Sequence, residues 1–287
     1  MGLLYASNVI KVKLLCILTV LIIFTGIESA YAANIPEGGR VCGLGGASVS
    51  LNDFWSVNNN PAGLSEYSKI SAGIAYEDKY LLKELSNKSF SLVYPVKSGV
   101  FGMSVSDYGY KNYHEDVLGI CLGKKLGSKI CAGIKINYFN LHLGDIYGNK
   151  GIFYFDAGFI CKLTKKIEIG VLASNPNMAK LSDYNDERLP ASLKLGLTYH
   201  VSPKVFIIGE TSKSIYKTEI FCAGLEYRIK ESACIRTGLS TCDRSFSFGF
   251  GFEIKKIIFD ISFAYTQTTG YSPNSSLICN FKEVNFK

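Results

Sequence analysis

The side chains able to do chemistry in this chain are few and dispersed. His114, His142 and His200 form no HxxxH pair and no triad spacing, so neither a zinc site nor nucleophilic catalysis is written into them. An omptin-like protease would gather acids and a histidine at an outer rim. Asp107, His114, Glu115 and Asp116 are the nearest approach, and solvated loop residues account for them at less cost. Removal of an N-terminal segment that carries Cys16 leaves eight cysteines, at 42, 121, 131, 161, 222, 234, 242 and 279, none in a CxxC pair. Cys121 with Cys131, and Cys234 with Cys242, flank predicted turns and could bridge strands; small thiols filling strand positions is the simpler reading. Gly43 to Gly46 lacks the preceding strand, following helix and Lys-Ser/Thr pair of a phosphate loop. The chain therefore reads as non-enzymatic, with no cofactor and no metal.

A second set of charged residues recurs at strand spacing. Lys135, Asp156, Lys194, Glu226, Arg228, Arg236, Glu253 and Asp260 each alternate with apolar neighbours, as does Glu77. What must position them is a β-ribbon with two unlike faces. Phe246, Phe248, Phe250, Phe252 and Ile254 alternate with Ser245, Ser247, Gly249, Gly251 and Glu253; Ile257, Phe259, Ile261, Phe263 and Tyr265 alternate with Ile258, Asp260, Ser262, Ala264 and Thr266. Small residues opposite greasy ones suit a crowded lumen inside a membrane barrel, whereas a soluble sandwich carries longer charged side chains on its wet face. Arg or Lys facing lipid at mid-membrane would cost about 2 to 4 kcal/mol, so the charges are predicted to face the lumen and to pair there. They read first as ion pairs bracing the barrel, and second as a polar lining for a solute. Phe250 is expected to point outward, and Gly249→Ser to be tolerated if the lumen has room.

Residues 1–32 read as a secretory signal peptide: Lys11 and Lys13 precede an apolar run of about 14 residues, too short to span a bilayer, and Ala30-Tyr31-Ala32 supplies a cleavage site. No later stretch is apolar enough for a helical span, so insertion must be by strands. The abundance of Tyr, Phe and Gly fits strands, and Pro95, Pro190, Pro203 and Pro273 fall at predicted ribbon ends. A net charge of +7 is too dispersed to argue for nucleic acid. Residues 33–67 form an irregular segment, and turn signals divide 68–287 into about fourteen ribbons. Connections after even ribbons are short and basic, while those after odd ones are mostly longer and carry acids, notably 78–87, 107–114, 142–149 and 175–189, with 213–216 and 241–243 as short exceptions. This is the asymmetry of an outer-membrane barrel with tight periplasmic turns.

Gly43-Leu44-Gly45-Gly46-Ala47, then Asn60-Pro61-Ala62-Gly63-Leu64 before the first ribbon, resembles the start of FadL-like outer-membrane proteins, in particular the PorV/PorQ group. Leu189-Pro190, Arg236-Thr237-Gly238, Gly249-Phe250-Gly251 and Asp260 with Ala264-Tyr265 agree in order and spacing. The resemblance implies an all-β transmembrane antiparallel barrel of fourteen strands in the outer membrane of a Gram-negative-type bacterium. It also implies an N-terminal hatch in the lumen, built around Gly43, Gly45, Gly46, Asn60, Pro61 and Ala62. Two functions follow as expectations: passage of a hydrophobic small molecule, or a non-enzymatic barrel of a type IX secretion machine that binds cargo or machine subunits. The implied partners are outer-membrane lipid, the barrel assembly machinery during biogenesis, and hydrophobic small molecules or secretion-system proteins. The chain is short for the group and ends Asn285-Phe286-Lys287, where many barrels end on an aromatic residue.

Overall fold

Alternating apolar and small residues give a ribbon one face for the exterior and one for the interior, and fourteen such ribbons pair edge to edge until none is left over. The computed structural model describes residues 36–144, 148–182, 186–215 and 217–284. The segment read as a signal peptide and the last three residues lie outside the described residues. The strands are β1 (Lys69–Asp78), β2 (Ser86–Val96), β3 (Gly99–Tyr110), β4 (Tyr113–Lys125), β5 (Ile130–Leu143), β6 (Gly148–Lys162) and β7 (Ile167–Ser174), followed by β8 (Ser192–Ser202), β9 (Val205–Ser214), β10 (Ile220–Lys230), β11 (Ala233–Ser240), β12 (Ser245–Ile254), β13 (Ile257–Thr266) and β14 (Gly270–Glu283). Each pairs antiparallel with its neighbours in sequence, and β14 returns to β1, with Ala72 opposite Cys279, to close the barrel. Closure removes the free edges that an open sheet would leave.

One end of the barrel carries only tight turns, of which Lys97-Ser98, Pro203-Lys204 and Lys255-Lys256 are two residues each. The opposite, loop end differs from the sequence expectation. The predicted long loop at 107–114 is mostly strand, and residues 142–143 and 148–149 of the one at 142–149 belong to β5 and β6, because β3 runs on to Tyr110, β4 starts at Tyr113, and His114 pairs opposite His142. Their polar residues hide the period-two signal. Only 79–85 and 175–191 remain long. Pro273 lies inside β14 rather than before it, in a stretch that pairs with β13 alone, so its missing N–H leaves no ladder bond broken.

The exterior is apolar: Ile134, Ile136, Phe153, Phe159 and Ile254 are all more than half exposed, and Phe246 and Phe248 also face out. A soluble monomer rarely exposes apolar patches beyond a few hundred Å². The core lies inside the barrel instead, around residues 36–66. These fold into two short helices, α1 (Gly39–Gly43) and α2 (Ser56–Asn59), and a 3-10 helix (Pro61–Glu66). Val41, Leu44, Val49, Phe54, Trp55 and Val57 are each 1% exposed or less.

Candidate functional site

The wall receives this segment through its glycines. A Cβ on Gly238 would stand 2.1 Å from the Gly45 nitrogen, one on Gly170 2.2 Å from the Val49 carbonyl oxygen, and one on Gly158 2.0 Å from Asn60 Oδ1. Gly133 and Gly123 lie as closely against Pro61, and Gly224 against Leu44. Backbone therefore packs on backbone around much of the lumen. Gly45 and Gly46 take φ of +72° and +87°, conformations that cost other residues energy. Gly43 faces Arg236 and Gly249. The lumen is tight at Gly249, where a Cβ would come within 3.0 Å of Ser262 Cβ and 3.3 Å of Gly43 Cα, so Gly249→Ser requires these neighbours to give by a few tenths of an ångström.

Asn60, fully buried, organises the exit toward β1. Its Oδ1 accepts from the Ala62 N–H (3.1 Å) and its Nδ2 donates to the Val49 carbonyl (2.5 Å), while Pro61 opens the 3-10 helix where no N–H is needed. That helix ends at Glu66, held by Lys125 (3.0 Å) and Lys162 at the turn end. Burial alone would raise the Glu66 carboxyl, but the two ammonium groups prevail and hold it below the usual carboxylate range.

The charged centre is a chain of five groups. Glu226 and Arg236 are direct neighbours on β10 and β11, and Arg236 Nε donates to Glu226 Oε2 (2.7 Å). Its Nη1 reaches past β12 to Asp260 Oδ1 on β13 (2.5 Å). That reach depends on Gly251, opposite Asp260, because a Cβ there would lie 2.6 Å from both Arg236 Nη2 and Asp260 Oδ1. From α1, Arg40 completes the chain with two bonds to Glu226 (2.9 and 3.1 Å) and one to Asp53 (3.0 Å). The segment is thus fastened to the wall by a buried ion-pair network.

The other sequence-selected charges divide. Lys194 lies 4.0 Å from Glu210, whose Oε2 accepts from the backbone N–H groups of Ser48 (2.7 Å) and Val49 (2.8 Å). Lys135 and Asp156 are opposite in register yet have separate partners: Lys135 donates to Asn58 Oδ1 (3.1 Å), and Asp156 accepts from Asn137 (2.7 Å), Ser174 (2.6 Å) and the Asn175 N–H (3.2 Å). Arg228 and Glu253 line the turn-end side of the lumen but differ from the others in depth. They keep inward parity but fall in the last residues of β10 and β12, at the open rim, with side chains 53% and 45% exposed. Sequence reasoning missed Arg40, Asp53 and Glu37, which lie in an aperiodic segment with no pattern to place them. It also missed Glu210 and Glu168, whose alternation on β9 and β7 did carry the signal. Glu168 holds Asn52 and stands 3.5 Å from His200.

Two small cavities flank the segment. Toward the loop end, Glu37, Asn58, Tyr108, Lys135, Tyr154 and Lys194 line one of about 60 Å³. Glu37 accepts from Asn58 and exchanges backbone and side-chain bonds with Asn59 (both 3.0 Å). Burial lifts its carboxyl to about 7, against the opposing pull of Lys135. Above it, loop residues Ala179, Leu181 and Leu189 turn inward onto Phe139, Leu141 and Tyr154, forming an apolar cluster inside the mouth. Asn175 ties that loop down, accepting from Ala179 N (3.0 Å) and donating to the Leu189 carbonyl (2.8 Å). Toward the turn end, Arg40, Phe54, Tyr67, Glu226, Cys234 and Phe252 line a cavity of about 210 Å³.

The eight cysteines are free thiols. Cys121 stands opposite Lys135 rather than Cys131, four residues away along the strand and beyond disulfide reach. His114 and His142, scattered in sequence, stack with ring centroids 4.7 Å apart. Among the described residues no group of three or more His, Cys, Asp or Glu side chains could hold a metal ion.

No protein-family model and no curated protein sequence matches the chain. Solved structures do match in fold. The P. putida toluene transporter TodX aligns over 87% of this chain and 100% of its own, with 13% identity and a TM-score of 0.61. The Ralstonia pickettii toluene transporter TbuX aligns over 87% and 99%, with 11% identity and a TM-score of 0.59. A Pseudomonas aeruginosa FadL homologue aligns over 84% and 98%, with 13% identity and a TM-score of 0.60. The fold is accordingly similar to that of these solved barrels: all-β, antiparallel, closed at fourteen strands and preceded by an N-terminal segment.

Proposed function

We propose that this chain is a non-enzymatic outer-membrane barrel that passes a small hydrophobic molecule, with residues 36–66 as a hatch and the barrel beginning at β1. The observation that carries the reading is an apolar cluster inside the loop-end mouth, directly above a hatch fastened by buried ion pairs, in a barrel whose exterior suits hydrocarbon. The likeness in fold to two toluene transporters supports a substrate of that apolar class. The barrel would place its tight turns in the periplasm and its loops outside, and would need the assembly machinery to insert. A cavity of about 150 Å³ is known to admit benzene, so the 60 Å³ cup is too small for an aromatic guest while the hatch is seated. Passage therefore requires the hatch or the 175–191 loop to shift.

The PorV/PorQ branch, with its secretion role, finds less support in the shape. Cargo binding calls for outward-facing loops, and in the longer of the two long loops Ala179, Leu181 and Leu189 are turned inward, although Leu81 and Leu82 of the shorter one are exposed. Deletion of residues 38–58 tests the hatch. The expected product is a heat-resistant barrel with raised conductance in planar bilayers and faster toluene entry into liposomes. If the full-length chain already conducts like an open porin, and deletion changes nothing, the reading fails.

A further inference from the structure

The turn end has a regular pairing that neither the hatch nor the mouth uses. Each of its six connections carries or adjoins an exposed lysine: Lys97, Lys129, Lys165, Lys204, Lys230 and Lys255. Each lies within three residues of an apolar side chain that is itself exposed: Tyr94 (56%), Leu126 (58%), Leu163 (49%), Val201 (44%), Ile229 (46%) and Ile254 (67%), respectively. Among the described residues none of the six lysines is within ion-pair distance of a carboxylate, whereas their neighbours Lys125 and Lys162 are occupied by Glu66. At the loop end basic and acidic residues are mixed: Lys88 stands 3.5 Å from Asp107 and Lys213 2.7 Å from Glu219, while the exposed Lys83, Lys111 and Lys150, without an ion pair among the described residues, share that end with Asp78, Glu84, Asp116 and Asp243. What is particular to the turn end is the regularity: one unpaired lysine at every connection, in a ring, immediately beyond the edge of the apolar exterior.

We infer that this ring is a binding collar for anionic phospholipid headgroups in the periplasmic leaflet. The apolar member of each pair reaches the acyl chains, and the lysine, with its flexible stem, reaches the phosphates above them. A free soluble anion would have no use for the apolar half. The collar fixes the depth and direction of the barrel and draws anionic lipid to its base. This rests on the bilayer placement proposed above.

The test uses the full chain in liposomes with spin-labelled phosphatidylglycerol or spin-labelled phosphatidylcholine, and reads the motionally restricted fraction of each. A lysine near an anionic surface favours the charged lipid roughly five-fold. The expected result is a several-fold preference for phosphatidylglycerol that declines toward none in 1 M salt, where screening acts within about 3 Å. Replacing all six lysines by glutamine should abolish the preference, and replacing them by arginine should keep it. Equal restriction of both lipids, or a preference retained by the glutamine variant, overturns the collar. If the glutamine variant does not fold, the salt titration of the unaltered chain decides, and a preference that survives 1 M salt overturns it equally. Failure of the bilayer placement would look different, with no compact heat-resistant band and no restricted lipid of either kind.

Discussion

Replacing Arg236 with methionine removes the one cation that serves both Glu226 and Asp260. Glu226 keeps its two bonds from Arg40, so it is still neutralised. Asp260, 2% exposed and bonded at 2.5 Å to Arg236, loses its only directly bonded cation among the described residues and keeps only the more distant Arg40. Removing one partner of such a pair destabilises by about 3 to 5 kcal/mol, because the orphaned charge retains its full desolvation cost. The cost should fall on the hatch more than on the wall, since the barrel's ladder bonds do not involve this side chain. The chain has a single tryptophan, Trp55, buried within the hatch, so its fluorescence reports hatch release while far-UV dichroism and gel mobility report the barrel. In urea titrations of protein in lipid vesicles, R236M should move the Trp55 transition to lower denaturant by an amount equivalent to 3 kcal/mol or more. The barrel transition should move little. Adding Asp260→Asn should recover most of the loss. An R236M variant whose Trp55 transition shifts by under about 1 kcal/mol, or a double variant no better than the single, would refute the view that this network holds the hatch.

Gly251→Ala places a methyl group 2.6 Å from both ends of the Arg236–Asp260 bridge and should displace the Trp55 transition in the same direction; an unchanged transition would mean that the bridge can reroute. Phe250→Arg, on the outward face opposite Ile261, should cost about 2 to 4 kcal/mol in vesicle refolding, whereas full tolerance would show that β12 does not face lipid. Seating of the hatch should also depend on pH through Glu37. Its carboxyl titrates at about 7 when buried, against about 4.3 when released, so the seated form binds more protons between those values. Hatch stability should therefore fall as pH rises from about 4.5 to 7 and then level off. Glu37→Gln should flatten that slope, and a slope unchanged by the substitution would assign the effect to another group.

The sequence by itself determined the ribbons. Period-two alternation is a consequence of local backbone geometry, so Phe246 to Ile254 and Ile257 to Tyr265 declare their two faces without reference to anything distant, and Asp260 and Arg236 follow onto the inner face. Glycine and proline punctuation fixed most of the turns. Where polar residues interrupt the alternation, as around Asp107 to Asp116, the local signal fades, and pairing across the sheet extended β3 and β4 beyond what alternation revealed. Tertiary structure alone decided how residues 36–66 sit. Arg40 meets Glu226 across 186 positions of sequence, and Gly39 donates to Ser276 Oγ across 237, in a segment with no period from which to infer a face. It also decided which inward charges are buried and which reach the rim, because parity names a face but not a depth. Arg228 and Glu226 share a parity and differ by two residues, about 7 Å along the strand. One is exposed at the barrel's edge, while the other is enclosed between two arginines.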